Sequence, residues 1–306
     1  MAEQRRLLGL DIGGTKCAAL VGDESGHVQD RVQWSSKAER GPESMLADLI
    51  DHGRTLLDKY PDVSSVGVPI GGPMDAERGI VHRTPNLPGW EQVPLKQKLE
   101  DAFERPVKVE HDAIACAMAE CQWGAGQGQS RAAYLTCGTG FGVGLVFDGK
   151  PYHGQNGRSV EIGHVRYRDE GPVAFGKQGC FEAYCAGSSL PRVAAWKYPK
   201  RWGQDPPDGK QLSELNKQGD VNARQVIEIN ARTVGDACAL LGDLLFLDVI
   251  ILGNLGRYLG HDWIELVRQQ FQVQVLPESG QFCHIELAGL GERLQDCSAL
   301  VVALRK

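Results

Sequence analysis

Asp11, Asp112, Glu161, His164 and Glu182 are the side chains whose types and settings can do chemistry, and two glycine turns can hold an anion for them. The first turn lies in Leu8-Gly9-Leu10-Asp11-Ile12-Gly13-Gly14-Thr15-Lys16, where a strand-like apolar run meets an acid, two glycines, a hydroxyl and a cation. Gly13 and Gly14 let backbone amides approach a ligand closely. Thr15 can donate to a phosphate oxygen, Lys16 brings positive charge, and Asp11 at the strand end can hold magnesium through its water shell. The second turn, Thr136-Cys137-Gly138-Thr139-Gly140-Phe141-Gly142, also joins two apolar runs. Two such hairpins fit two lobes closing on one polyphosphate, although an ordinary glycine hairpin without a ligand satisfies the same residues. There is no GxxxxGK[ST], and the second turn leads into a strand rather than a helix, which excludes a P-loop and a Rossmann fingerprint.

The remaining candidates sit where chain elements end. Asp112 closes an expected strand over 107–110 and opens an expected helix over 113–123. Open α/β sheets place ligands at that point, and an aspartate there is equally natural as a helix cap. Gly71-Gly72-Pro73 ends a buried run, where backbone can line a pocket or simply turn. Asn86 lies between Pro85 and Pro88 in an expected loop over 80–90, a setting that suits a turn. Glu161-Ile162-Gly163-His164 and Gly179-Cys180-Phe181-Glu182 put two carboxylates and an imidazole in a polar stretch. That set can hydrogen-bond several hydroxyls, as a sugar site requires, and a solvated charged face accounts for it too.

The elements that must position these residues follow from periodicity. Strands are expected over 7–12, 28–34, 63–70, 107–110, 248–252 and 284–287, with two more flanking the second glycine turn. Helical spacing covers 43–60, 94–103, 113–123, 221–247, 264–273 and 296–304. Residues 197–220 turn polar and read as a surface excursion. The length of 306 residues supports two α/β domains, and a net charge of −6 gives no basic field for nucleic acid or an anionic membrane. The short polar lead before the first strand is not a signal peptide, and no apolar run spans a bilayer, so a cytoplasmic protein is expected. Nine scattered cysteines, an odd count, read as buried free thiols rather than bridges.

Taken in order, DIGGTK, GGPMD, TPNLPGW, HDA opening a helix, LTCGTGFGVG, EIGH, GCFEAY and a late ILGN resemble the ROK family of bacterial sugar kinases and sugar-responsive repressors. The resemblance implies a two-domain actin-like ATPase fold of the ribonuclease H type, with a smaller lobe from 1–112 plus about 292–306 and a larger one from 113–291. It implies ATP-dependent phosphorylation of a hexose, glucose first, with Asp112 as general base. By the same resemblance Gly71, Asn86, His111, Glu161, His164 and Glu182 hold the sugar with Asp112. Asp11, Gly13, Gly14, Thr15, Lys16, Gly138, Thr139 and Gly140 embrace the phosphates, and Gly253 borders the adenosine. ATP and magnesium are implied cofactors, and the family habit admits a homodimer. A noncatalytic sugar sensor is the alternative. A DNA-binding repressor is disfavoured, because only ten residues precede Asp11 and leave no room for a helix-turn-helix.

Three departures qualify the resemblance. The family's CxCGxxGC zinc run reads Val173-Ala174-Phe175-Gly176-Lys177-Gln178-Gly179-Cys180, so only His164 and Cys180 remain of four ligands. Val173 and Phe175 are expected to pack where the metal would have sat, and the histidine ring loses its usual orienting partner. His111 replaces the asparagine before the catalytic aspartate, and Asn254 replaces a glycine after Gly253. Metal analysis of the purified protein is expected to find no stoichiometric zinc; one zinc per chain would overturn that expectation.

Overall fold

The computed structural model describes residues 5–84, 87–253 and 255–305. The chain forms two compact units: the first comprises 1–128, 144–159 and 289–306, the second 129–143 and 160–288. Residues 113–128 and 144–159, placed in the larger lobe by the sequence boundary at 112, group with the first unit.

A five-stranded sheet organises the first unit, in the spatial order Val28–Ser35, Lys16–Asp23, Arg6–Ile12, Val63–Ile70, Val107–His111. The first three pair antiparallel and the last three run parallel. Alternation along Arg6–Ile12 decides its two faces, because successive side chains point to opposite sides of a strand. Leu8, Leu10 and Ile12 join Met45, Leu46 and Leu49 of helix Pro42–Lys59 and Leu95 and Leu99 of helix Leu95–Phe103 in one core. Leu7 turns the other way and meets Leu300 and Ala303 of the C-terminal helix Leu294–Leu304.

That second face is unusually close. A Cβ at Gly67 would lie 2.2 Å from Ala299 O and 2.3 Å from Ala303 N, and one at Gly9 would lie 2.8 Å from Ala299 Cβ. Glycine on two neighbouring strands therefore lets helix backbone rest directly on sheet backbone. Ser65 Oγ donates to Ala303 O at 2.9 Å and Lys108 Nζ to the same oxygen at 3.2 Å, pinning the helix end. Helix Asp112–Trp123 is held alongside by Glu120. Its fully buried carboxylate accepts from the amides of Ala125 at 2.8 Å, Gly289 at 3.0 Å and Leu290 at 3.1 Å.

In the second unit, strands Arg131–Leu135, Val249–Leu252 and His284–Leu287 pair in parallel, with Val249–Leu252 in the middle. Helix Val221–Leu245 runs unbroken and packs on helix His261–Gln274. Asn230, fully buried, donates to Tyr184 O at 2.7 Å and accepts from Trp263 Nε1 at 2.8 Å, linking the short helix Phe181–Cys185 to both long ones. The excursion at 197–220 is not bare loop, because it carries helices Pro199–Trp202 and Gly209–Lys217. The latter is started by a reciprocal Asp208–Gln211 cap. The expected loop at 80–90 likewise contains a strand, Ile80–Arg83, paired with Met74–Asp75 and Glu91–Pro94. None of the nine cysteines forms a disulfide, and eight are buried. No described helix is long and apolar enough to cross a membrane.

A Gly67→Ala substitution must displace helix backbone rather than a flexible side chain, so it is expected to cost about 3 kcal/mol, the upper end for overpacking. A urea or thermal melt reads this directly, and a change within error would show that the helix does not bear on the strand here.

Candidate active site

Parallel pairing aligns the carboxyl ends of three strands in the first unit, and each end carries a candidate. Ile70 pairs with His111 in register, so Gly71 falls beside Asp112; a Cβ at Gly71 would be 3.9 Å from Asp112 Oδ2. Asp11 sits one residue before the end of the neighbouring strand Arg6–Ile12. Residues 112 and 11 thus share one sheet edge, where open α/β sheets bind ligands.

Asp112 is the first residue of its helix, and the sequence's two readings of it coexist. Oδ1 accepts from the Ala113 amide at 2.7 Å, a cap-like bond that fixes the side chain, while the side chain as a whole stays 52% exposed. A fixed, solvent-facing carboxylate can accept a proton from a bound hydroxyl. His111 stands beside it, with Nδ1 3.3 Å from Asp112 Oδ1 but not aligned for a hydrogen bond. That buried nitrogen has no partner among the described residues. The His111 ring lies against Gly72, where a Cβ would be 2.8 Å from Cδ2.

Burial pushes the Asp11 carboxyl from an ordinary 3.8 up to about 6; the Asp296 and Asp112 carboxylates push the same way and the Arg31 guanidinium opposes them. An acid crowded by like charge is a fitting ligand for a cation, which would answer the charge that the protein itself leaves unbalanced. The turn beyond it is a tight hairpin. Gly13 N donates to Lys16 O at 3.1 Å, and Ser36 Oγ donates to Gly14 O at 2.7 Å, fixing a tip at which Gly14, Thr15 and Lys16 are exposed.

The second unit assembles the other group. Gly138 N donates to Gly140 O at 3.0 Å and Gly142 N to Thr136 Oγ1 at 3.0 Å, which closes the glycine turn on itself. Ser188, which the sequence reading misses, ties the turn from outside: its amide donates to Gly138 O at 3.3 Å and its hydroxyl to Thr139 O at 2.5 Å. Glu182 Oε2 accepts from the Phe141 amide at 3.1 Å, and a Cβ at Gly140 would lie 3.1 Å from that oxygen. Burial raises the Glu182 pKa; the Phe141 amide, His164 and Arg192 moderate the rise and Glu161 adds to it. Glu161 precedes and His164 ends the single turn Ile162–His164, both exposed. Gly253 N donates to Leu135 O at 2.8 Å, bringing the late turn beside residues 134–136. Asn86 and Asn254 lie outside the described residues.

Cys180 Sγ is 3.6 Å from Lys177 O and 3.9 Å from Ala174 O, donating to its own loop. No group of three or more His, Cys, Asp or Glu among the described residues can hold an ion. The expected packing of Val173 and Phe175 needs correcting: they are 50% and 60% exposed, because Val173–Ala174 and Lys177–Gln178 form a small hairpin that carries them outward. Phe175 nevertheless places its ring centroid 5.4 Å from that of His164, and Lys177 Nζ donates to His164 O at 2.5 Å.

The sheet order and the paired glycine turns define a two-domain actin-like ATPase fold. The ROK family model matches residues 7–301, and the chain belongs to that family. It is 33% identical over 263 residues, 81% of each chain, to a glucokinase of Streptomyces coelicolor. Among solved structures, a ROK hexokinase from Thermus thermophilus superposes with a TM-score of 0.86 at 31% identity, covering 98% of both chains. A ROK glucokinase from Streptomyces griseus, in complex with glucose and AMPPNP, superposes with a TM-score of 0.79 at 30% identity, covering 98% of this chain and all of that one.

The native state holds the Asp11 proton more tightly than the unfolded chain, so between pH ~4 and ~6 this group makes stability fall as pH rises, and the penalty persists above. Asp11→Asn is therefore expected to gain thermal stability relative to the parent as the ligand-free proteins are moved from pH 5 to pH 7.5. A gap between their melting temperatures that does not widen over that range would contradict the crowded-carboxylate picture.

Proposed function

We propose that this chain is an ATP-dependent hexose kinase of the glucokinase type, working in the cytoplasm without nucleic-acid or zinc partners. The observation that carries the reading is a fixed, solvent-facing carboxylate, Asp112, in a chain 30% identical along almost its whole length to a glucokinase crystallised with glucose and AMPPNP. Glucose is accordingly the first substrate to test, with fructose, mannose and N-acetylmannosamine next. The last is the named substrate of a Haemophilus influenzae kinase 30% identical over 94% of this chain.

In this reading Asp112 takes the proton of the attacking sugar hydroxyl. A carboxylate suffices because the alcohol acidifies only as its bond to phosphorus forms. Gly71 leaves room above Asp112 for the ring, and His111 takes a place beside it. Glu161, His164 and Glu182 hold further hydroxyls. The buried Glu182 carboxylate can accept from a hydroxyl. Asn86 joins them by the family resemblance. Gly13, Gly14, Thr15 and Lys16 on one turn and Gly138, Thr139 and Gly140 on the other bind phosphate oxygens, and Gly253 borders the nucleoside. Asp11 would hold magnesium, which when bound neutralises the charge on the β- and γ-phosphates.

A coupled ADP-release assay across the hexose panel is the decisive measurement. The parent is expected to turn over at least one hexose, and Asp112→Asn to lose about 10²-fold or more in kcat while calorimetry still detects sugar binding, because a base acts mainly in the transition state. No sugar-dependent turnover in the parent would leave the noncatalytic sensor standing instead.

A further inference from the structure

One fully buried acid of the first unit has no part in the chemistry above. Glu110, on strand Val107–His111, gathers three donor groups. Oε1 accepts from the His111 amide at 2.8 Å and lies 3.1 Å from His153 Nε2. Oε2 is 2.9 Å from the same ring nitrogen and accepts from Arg305 Nη1 at 2.5 Å. His153 follows the short strand Lys150–Pro151, and Arg305 caps helix Leu294–Leu304, so the three groups come from distant parts of the chain. A carboxylate with no exposure is retained only if its charge is answered and its lone pairs are filled, and both conditions are met here.

The position of this cluster is informative. The amide it grips belongs to the residue directly before Asp112, at the strand exit where the backbone passes from extended His111 (φ −63, ψ 134) into the helix. The bond from Ala113 N fixes how the Asp112 side chain turns, but it moves with the helix start and cannot fix where that start lies. The Glu110 grip on His111 N does so from the strand side. Arg305 in turn sets Glu110, and its own helix is seated on the sheet through Gly67 and Gly9.

We propose that Arg305 and His153, acting through Glu110, form a clamp that positions Asp112, making turnover depend on an arginine at the far end of the chain. The inference rests on the role given to Asp112 above. All three are positioning residues, since none is offered as touching substrate.

The test compares Arg305→Met, Arg305→Lys and Glu110→Gln/Arg305→Met in the hexose assay, with amide hydrogen exchange over residues 107–116 measured on the ligand-free proteins. Arg305→Met is expected to lose about tenfold to a hundredfold in kcat, the scale of a small misplacement of a reacting group. KM for hexose and ATP should stay within twofold, and exchange at 107–116 should quicken. Arg305→Lys should recover most of the loss, because a single ammonium can meet the one carboxylate oxygen that Arg305 contacts. The double variant should lose no more than Arg305→Met alone, because the arginine acts through Glu110. An unchanged kcat with unchanged exchange in Arg305→Met would overturn the clamp, as would a rise in KM alone or a lysine variant no better than methionine. Should Arg305→Met not fold, His153→Leu at the partly exposed end carries the same expectations. If the parent turns over no hexose, the kinase reading fails, while the exchange measurement still decides whether the clamp holds the strand exit.

Discussion

Three parallel strand ends in register are the constraint on which the first unit's chemistry depends. Arg6–Ile12, Val63–Ile70 and Val107–His111 lie side by side, so Asp11, Gly71 and Asp112 emerge at one edge although their positions in the chain are far apart. The arrangement gathers acid on acid: Asp11 holds its proton up to about pH 6, chiefly because it is buried and further because Asp296 and Asp112 repel its charge. A fold that leaves like charges unanswered at one edge trades stability for a place where a cation and a polyanion are welcome.

Close packing underneath makes that edge rigid. With no side chain at Gly67, the C-terminal helix touches strand backbone, and its last residues reach Ser65, Lys108 and Glu110. Packing therefore links the end of the chain to the strand exits that hold the acids. Glu120 does the same for the helix that starts at Asp112, drawing in the amides of Gly289 and Leu290. Buried carboxylates here are satisfied by backbone amides and by cations brought from distant segments, which ties segments together more firmly than apolar contact alone.

In the second unit the segment beside His164 is held by ordinary side-chain and backbone contacts. The hairpin Val173–Gln178 turns Val173 and Phe175 outward, closes on the Cys180 thiol and sets Phe175 beside His164. A ring contact and the Lys177 bond to the His164 carbonyl orient that segment.

Local signals were enough for much of this. Strand alternation around Leu8 and Leu10, the glycine turns, helical spacing over 221–247 and the acid between strand and helix at 112 are short-range patterns that carried the two-domain α/β reading, while the actin-like fold and the roles in the candidate site came from the order of motifs and the family they resemble. The strand Ile80–Arg83 and the helices within 197–220 escaped because they are brief and polar, and their stability comes from partners rather than propensity. The partner of Glu110 could not be read in advance either, since nothing in the spacing of 110, 153 and 305 brings them together. The residue types and turns were determined by sequence alone, because backbone reversal and side-chain chemistry are local properties. Which acid feels which, which carboxylate is buried and which arginine answers it were decided only by tertiary structure, because charge and burial act through space rather than along the chain.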